Sequence, residues 1–245
     1  MSETLRNDAE LVEANRAFYD ALWAGATLTP ASSFNTWPLV EALVRKAPDR
    51  LEVAPGLRPR LPIAGTRFVD LSEPAVRQLR ENGADASVAQ ITALPFDDAS
   101  FDLVCACDIV EHVDDDLRAL SELVRVARPG ATLLISVPLH PSRWTSFDDF
   151  VGHRRRYEPA RLIELLDANG LAIRQSAIYG MQPESSRLLD FGIWGMTHHP
   201  KFASWLYNRV LMPIGLRTQK PLAFSEGLLD PSHVDEVLLV CERSR

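Results

Sequence analysis

The sequence has little cysteine, no long apolar run and fewer basic than acidic side chains. Its three cysteines are too few for a disulfide framework in 245 residues, and Cys105 and Cys107 lack a second pair of metal ligands. No stretch approaches the roughly 18 apolar residues of a membrane span, and no apolar signal segment opens the chain. We therefore expect reduced, buried thiols, no membrane span and a cytoplasmic protein.

The charge balance argues against a nucleic-acid partner. The chain has 33 acidic and 26 basic side chains and a formal net charge of −7. Binding to a phosphate backbone normally requires a basic surface. Apolar residues make up 46% of the chain and charged residues 24%, which is ordinary for a globular protein with a sizeable core.

Short apolar strands alternate with amphipathic helices along most of the chain, which predicts a parallel α/β sheet. Strands are predicted at 51–53, 66–70, 172–179 and 236–241 and within 88–138, and helices at 5–23, 37–46, 73–81, 114–127 and 158–169. We expect one domain over residues 1–245. It should include an N-terminal helical cap over 1–48 and a helical insert or lid over 181–233.

The predicted insert carries an aromatic and apolar stripe. Its members recur mostly at helical spacing and are Leu188, Phe191, Trp194, Phe202, Trp205, Leu206 and Leu211. A stripe of this kind usually packs into a core and less often meets lipid. Its place before the last strand also predicts a lid over a bulky or apolar ligand.

The segment from Val88 to Pro138 is the most specific part of the sequence. It runs through the motifs LPF (94–96), SFD (100–102), EHV (111–113), RPG (128–130) and SVP (136–138). Physically this order is strand, acidic turn, strand, capped helix and strand. It resembles the central half of class I S-adenosylmethionine-dependent methyltransferases. Residues 153–157 match the H-x-R-R-Y element of a methyltransferase type 11-like branch.

The resemblance implies a Rossmann-like, seven-stranded, mostly parallel sheet with an antiparallel last strand. It also implies S-adenosylmethionine as cofactor and S-adenosylhomocysteine as product. The positions that match the family's cofactor motifs are Glu52, Ala54, Pro55, Gly56, Asp70, Leu71, Gln90, Ile91 and Cys107. By resemblance, Glu52 lies near the methionine amino group, Asp70 binds the ribose hydroxyls, and Gln90 and Ile91 contact the adenine.

The turn after the first strand departs from the family pattern. Ala54 and Arg58 replace the outer glycines of G-x-G-x-G, and only Gly56 remains. Pro59 and Pro62 break the helix that normally follows, so we expect a shortened loop.

The candidate catalytic residues are His112, His153 and Tyr157. Of these, His112 follows the fourth strand and has an ordinary pKa near neutrality, but it could equally be a packing residue. With Glu111 it offers only two metal ligands, so no metal is predicted.

The candidate substrate-binding residues are His140, Trp144, Arg155 and Arg156. His140 and Trp144 directly follow the fifth strand. The arginines could hold an anionic acceptor or could instead pair with Asp148, Asp149 and Glu158 to fasten a loop.

Three functions remain open from the sequence. The first is methyl transfer, by in-line displacement, to a small-molecule, glycan or lipid-linked acceptor. The second is a non-catalytic scaffold or partner subunit with an eroded cofactor turn. The third is a nicotinamide-dependent dehydrogenase, which Arg58 and Pro59 disfavour because a pyrophosphate requires a glycine-rich helix start.

Overall fold

The computed structural model describes Tyr19, Leu22, Trp23 and residues 26–180 and 186–244. Tyr19, Leu22 and Trp23 are helical, and the rest of the helix predicted over 5–23 lies outside the described residues. The division into a cap over 1–48, a main domain and an insert over 181–233 stays a prediction.

The described part of the chain forms one sheet of eight strands in the order β3-β2-β1-β4-β5-β8-β6-β7. Their bounds are β1 Arg50–Val53, β2 Thr66–Asp70, β3 Asp85–Val88, β4 Phe101–Cys107, β5 Ala127–Pro138, β6 Leu171–Ile178, β7 Ser225–Glu226 and β8 Glu236–Arg243. The first five strands pair in parallel, and β8 runs antiparallel between β5 and β6. The Rossmann-like α/β class with an antiparallel last strand is confirmed. The two-residue strand β7 is an addition at the edge of the sheet.

Within the described residues 26–180 there are five α-helices: α1 Trp37–Val44, α2 Glu73–Glu81, α3 Asp116–Val126, α4 Ser146–Val151 and α5 Pro159–Ala168. Helix α3 begins where the sequence places its acidic cap, because the Asp115 carboxylate accepts a hydrogen bond from the backbone N–H of Arg118. Helix α5 has a proline in its first turn, a position at which the missing N–H costs nothing. The structure therefore begins these helices at the expected signals.

The core lies on both faces of the sheet. Leu120 and Leu123 of α3 pack with Leu165 of α5 against one face. On the other face, α1 and α2 contribute Val40 and Leu79 to two separate clusters. Burial on both faces explains the nearly continuous apolar character of β4 and β5.

The insert folds into consecutive helices: α6 Ser186–His198, α7 Pro200–Leu206, a π-helical turn Tyr207–Leu211 and α8 Met212–Thr218. The prediction that its stripe packs into a core was wrong for six of its seven members; the seventh, Leu206, is half-buried. The exposed fraction is 64% for Leu188, 68% for Phe191, 49% for Trp194, 64% for Phe202, 54% for Trp205 and 52% for Leu211. These side chains point outward because the insert's inner contacts use other residues, Met196 and Tyr207 among them.

No helix among the described residues is long and apolar enough to cross a bilayer. The cytoplasmic location stays a prediction.

Candidate active site

A cavity of about 480 Å³ lies at the carboxyl ends of β1, β2 and β4. Strand order reverses between β1 and β4, and open α/β sheets bind ligands at such a point. The volume suits a small molecule. All nine residues predicted to bind the cofactor line this cavity: Glu52, Ala54, Pro55, Gly56, Asp70, Leu71, Gln90, Ile91 and Cys107.

The turn after β1 is packed against an aromatic ring. Ala54 and Gly56 have φ values of 56° and 53°, so Ala54 keeps a backbone conformation that favours glycine. A Cβ atom on Gly56 would lie 2.2 Å from a ring carbon of Trp23. The close approach that requires glycine here is therefore made by an indole ring, which itself lines the cavity.

Glu52 is buried and closes the shortened loop after this turn. Its carboxylate oxygens accept hydrogen bonds from the backbone N–H groups of Arg60 (2.7 Å) and Leu61 (2.8 Å). Burial raises the pKa of Glu52 to about 7, and the two hydrogen bonds partly oppose that rise. Because a carboxylate has about four lone-pair positions, Glu52 can also accept a hydrogen bond from an ammonium group in the cavity.

Asp70 joins the cofactor turn to the start of α2. Its Oδ2 accepts a hydrogen bond from Gly56 N–H (2.9 Å) and its Oδ1 from Ser72 N–H (2.8 Å). Gln90 is exposed at the cavity and Ile91 is 5% exposed. A carboxylate, a carboxamide and an apolar side chain suit a ribose diol and an adenine ring. With Glu52, this set fits S-adenosylmethionine.

Aromatic rings and one guanidinium cover the cofactor turn. The Arg58 guanidinium lies 5.1 Å from the ring centroid of Trp23 and 4.9 Å from that of Tyr207. It also donates a hydrogen bond to Asn208 Oδ1 at 2.9 Å. Tyr19 stacks on Trp23 with ring centroids 6.2 Å apart. Since Tyr207 and Asn208 belong to the insert, Arg58 links the insert to the cavity.

Around Asp108, beside β4, the structure assembles polar partners that the sequence did not reveal. Asp108 has a φ of 53° and accepts a hydrogen bond from the Ser136 hydroxyl. Burial, the charge of Asp108 and a hydrogen bond to it raise the pKa of Glu236. Nearby, Arg60 donates a hydrogen bond to the Tyr179 hydroxyl at 2.7 Å. These residues lie on distant segments, so no local motif could have revealed them.

Two of the predicted catalytic histidines lie side by side. The ring centroids of His112 and His153 are 4.7 Å apart, and only His112 lines the cavity. Burial, together with the neighbouring His153, lowers the pKa of His112 to about 3. Burial also raises the pKa of Glu111, and the nearby Asp108 adds to that rise.

The H-x-R-R-Y element is built around one buried and one half-buried carboxylate. Arg156 is 6% exposed and forms two hydrogen bonds, of 2.8 and 2.9 Å, with Asp148. Arg155 pairs with Asp116 at 2.7 Å, and the Tyr157 hydroxyl donates to the same carboxylate at 3.1 Å. Of the three acids that the sequence suggested as partners for the arginines, Asp148 pairs with Arg156.

The remaining predicted substrate residues do not line the cavity. A ring nitrogen of His140 lies 2.8 Å from the carbonyl oxygen of Pro231. Trp144 is 39% exposed, and its indole N–H donates to Asp149 at 3.0 Å. The structure therefore brings the predicted cofactor set together with His112, while the other predicted catalytic and substrate residues lie outside the cavity.

Comparisons with known proteins agree with this geometry. The sequence profile of a methyltransferase domain family matches residues 58–135. A protein from Mycolicibacterium smegmatis, named as a probable S-adenosylmethionine-dependent methyltransferase, is 32% identical over 114 residues, which are 44% of each chain. Tocopherol O-methyltransferase of Arabidopsis thaliana is 37% identical over 79 residues, 32% of this chain and 22% of the relative. The matches thus span less than half of these relatives.

Solved structures share the fold over more of the chain. One is an S-adenosylmethionine-dependent methyltransferase from Thermotoga maritima, described as a possible histamine N-methyltransferase. It matches with a TM-score of 0.56 and 15% identity, and the match covers 97% of this chain and 94% of the Thermotoga chain. The [4+2]-cyclase SpnF has a TM-score of 0.53 and 20% identity, over 84% and 80% of the two chains.

The strand order, the cavity at the switch point and the matched sequence profile agree with one another. The cofactor that this fold and family imply is S-adenosylmethionine. The chain is therefore similar to S-adenosylmethionine-dependent methyltransferases in sequence over residues 58–135 and in fold over most of its length.

Proposed function

We propose that this protein transfers the methyl group of S-adenosylmethionine to a small-molecule, glycan or lipid-linked acceptor. The observation that carries the proposal is the cavity at the switch point, which gathers all nine predicted cofactor residues. The named methyltransferase relatives support it. The activity of the whole protein belongs to the proposal, because the matches cover less than half of those relatives.

The cavity residues divide between the two ends of the cofactor. We assign the methionine ammonium to Glu52, the ribose hydroxyls to Asp70 and the adenine to Gln90 and Ile91. Leu71, Ala54, Pro55, Gly56 and Cys107 complete the walls. When bound, S-adenosylmethionine supplies a methyl group on a sulfonium sulfur. On transfer, this sulfur leaves as the neutral thioether of S-adenosylhomocysteine. The protein's task is then to align the acceptor and exclude water.

The acceptor side is assigned to the edge where His112 lines the cavity. His153 and Tyr157 act as positioning residues in this proposal, since His153 contacts His112 and Tyr157 is bound to Asp116. Arg155 and Arg156 hold their loop through Asp116 and Asp148, which favours the fastening role over anion binding. His140 and Trp144 lie beyond the cavity, where a large acceptor could extend.

The acceptor class is the finer part of the proposal. Relatives named for tocopherol O-methylation and norajmaline N-methylation support a small molecule. Another relative is named as a tRNA methyltransferase, at 28% identity over 131 residues. The net charge of −7 argues against an RNA acceptor here.

A scaffold without methyl transfer is the second candidate. The strained Ala54 in the cofactor turn favours it, and the likeness to a cyclase shows that this fold is not restricted to proteins named methyltransferases. The fold therefore does not decide between the two.

A transfer assay separates the two candidates. Purified protein is incubated with methyl-labelled S-adenosylmethionine and a metabolite extract, and extractable label is counted. The proposal predicts label that depends on protein, that excess S-adenosylhomocysteine suppresses, and that Gln90→Ala lowers by several-fold at limiting cofactor. Asp85→Asn, at an exposed position of β3, is the surface control and should leave transfer unchanged. Binding of S-adenosylhomocysteine without any labelled product would favour the scaffold.

A further inference from the structure

Three side chains near the acceptor edge converge as metal ligands do. Glu111, His112 and His153 each offer one ligand atom, and these atoms all lie within 4.8 Å of one another. Metal–ligand bonds of about 2.1 Å place donor atoms roughly 3 to 4.2 Å apart, so small side-chain rotations would close the set. His153 comes from the loop after α4 and is remote in sequence, which is why the chain alone revealed only two ligands.

Glu111 is buried, and one of its two carboxylate oxygens lacks a partner among the described residues. It is 1% exposed, and its Oε2 has no hydrogen-bond partner within the part of the chain that the structure describes. A carboxylate oxygen in that situation costs free energy unless something pairs with it. The other oxygen, Oε1, lies 3.9 Å from His153 Nε2. A cation bound by the Glu111 carboxylate and by His153 Nε2 would compensate the buried carboxylate.

The supporting residues hold His153 as a ligand would be held. Its Nδ1 lies 2.8 Å from Asp148 Oδ1, which directs Nε2 towards Glu111. Asp148 is fully buried and is fixed by two hydrogen bonds from Arg156 and two from Thr145. A carboxylate behind a histidine is the usual support for a metal-bound imidazole.

We propose that Glu111, His112 and His153 bind one divalent first-row transition-metal ion. Two imidazoles and one carboxylate suit ions such as Zn²⁺, Fe²⁺ or Mn²⁺ better than they suit Mg²⁺. His112 lines the cavity, so an oxygen or nitrogen atom of the acceptor is the ligand that would complete the coordination. An acceptor hydroxyl bound there loses its proton more readily. This last step depends on the proposed methyl transfer, whereas ion binding does not.

Cobalt provides the test. Chelator-treated protein is titrated with Co²⁺, the visible absorption is recorded, and Zn²⁺ is then added as competitor. The proposal predicts one ion per chain with displacement by Zn²⁺. His153→Ala and Glu111→Gln should weaken binding at least about tenfold. The matched controls His233→Ala and Glu81→Gln alter exposed residues and should bind as the unchanged protein does.

Two outcomes would overturn the site: no stoichiometric ion in the unchanged protein, or equal binding by His153→Ala and His233→Ala. If the variants fail to fold, X-ray absorption of the Zn²⁺-loaded unchanged protein decides, since two imidazole ligands are required and fewer would refute the assignment. S-Adenosylhomocysteine binding is measured on the same metal-free sample. If S-adenosylhomocysteine binds but neither Co²⁺ nor Zn²⁺ does, the metal site is discarded and the proposed function stands.

The exposed stripe of the insert carries a second, independent inference. Phe191 stacks on Trp194 and Phe202 on Trp205, with ring centroids 6.0 and 6.1 Å apart, and all four rings are about half or more exposed. Large exposed apolar patches on a folded protein mark interaction surfaces.

The charge of the same segment indicates the partner. Residues 186–220 contain five basic side chains and one acidic one, a formal net charge of +4, in a chain whose total is −7. Four of these basic residues, Lys201, Arg209, Arg217 and Lys220, are exposed. None of the four forms an ion pair with another described residue. We infer that the insert docks on an anionic membrane surface, because amphipathic helices with aromatic and basic side chains bind there.

Vesicle sedimentation tests this surface. Binding is expected to vesicles with anionic headgroups, to weaken in high salt, and to be absent with purely zwitterionic vesicles. The double variant Trp194→Ser/Trp205→Ser should lower the bound fraction several-fold, while Leu117→Ser, an exposed apolar residue on α3, should not. Equal binding by both variants would overturn the inference. So would light scattering that shows a dimer which the tryptophan variant alone dissociates.

Discussion

The contact between Gly56 and Trp23 gives the sharpest test of the cofactor turn. In Gly56→Ala the new Cβ would lie 2.2 Å from an indole carbon, and the residue would keep a φ of 53°. A left-handed alanine costs about 1 kcal/mol, and overpacking a buried ring costs about 2 kcal/mol more. We expect a loss of about 3 kcal/mol in the free energy of unfolding.

Gly83→Ala is the matched control for backbone strain. Gly83 has a φ of 84°, and a Cβ there meets nothing within 4 Å, so the expected loss is about 1 kcal/mol. In a Trp23→Leu background, Gly56→Ala should also cost only about 1 kcal/mol, a coupling of about 2 kcal/mol between the two sites. Urea unfolding measures all of these variants. Equal costs of Gly56→Ala in both backgrounds would refute the reasoning.

Three further predictions concern the buried carboxylates and the cover of the cavity. The pKa of Glu52 is raised to about 7, so its protonated form favours folding. The free energy of unfolding should therefore fall by up to about 3 kcal/mol as pH rises from about 4.5 to 7, and Glu52→Gln should flatten this slope in denaturant titrations at each pH. Arg156→Ala removes the arginine charge and two of the hydrogen bonds that hold buried Asp148, and it should destabilise by about 3 kcal/mol. Arg161→Ala, in an exposed pair, should change calorimetric stability by less than about 0.5 kcal/mol; similar losses would contradict the buried pairing. Arg58→Ala removes the link to Tyr207 and Asn208. It should therefore speed S-adenosylhomocysteine release several-fold in stopped-flow measurements. An unchanged release rate would show that the insert does not cover the cavity.

Much of the fold could be predicted because its signals are local. The acids before α3, the proline at the start of α5 and the apolar strands each specify one element through nearby residues. The shortened loop after β1 could also be predicted, since Pro59 and Pro62 exclude a helix. The exposure of the insert's stripe could not, because helical spacing gives one apolar face but does not say what that face meets.

The candidate site divides in the same way. Motif positions such as Asp70 and Gln90 could be placed because parallel strands end at one edge of the sheet. The partners of Asp148, by contrast, depend on how a loop folds back, and the sequence offered several acids for each arginine. The approach of His153 to Glu111 depends on contacts between residues 42 positions apart, which no spacing rule supplies.

Calorimetric titration with S-adenosylhomocysteine tests the central claim most directly. The account predicts one binding site per chain, with an affinity that falls at least about tenfold in Asp70→Asn, because charge-assisted hydrogen bonds to the ribose contribute about 1.5 to 3 kcal/mol. Asp85→Asn should bind as the unchanged protein does, and circular dichroism should show that both variants are folded. No heat and no thermal shift with the unchanged protein at millimolar ligand would contradict the assignment of this cavity to S-adenosylmethionine.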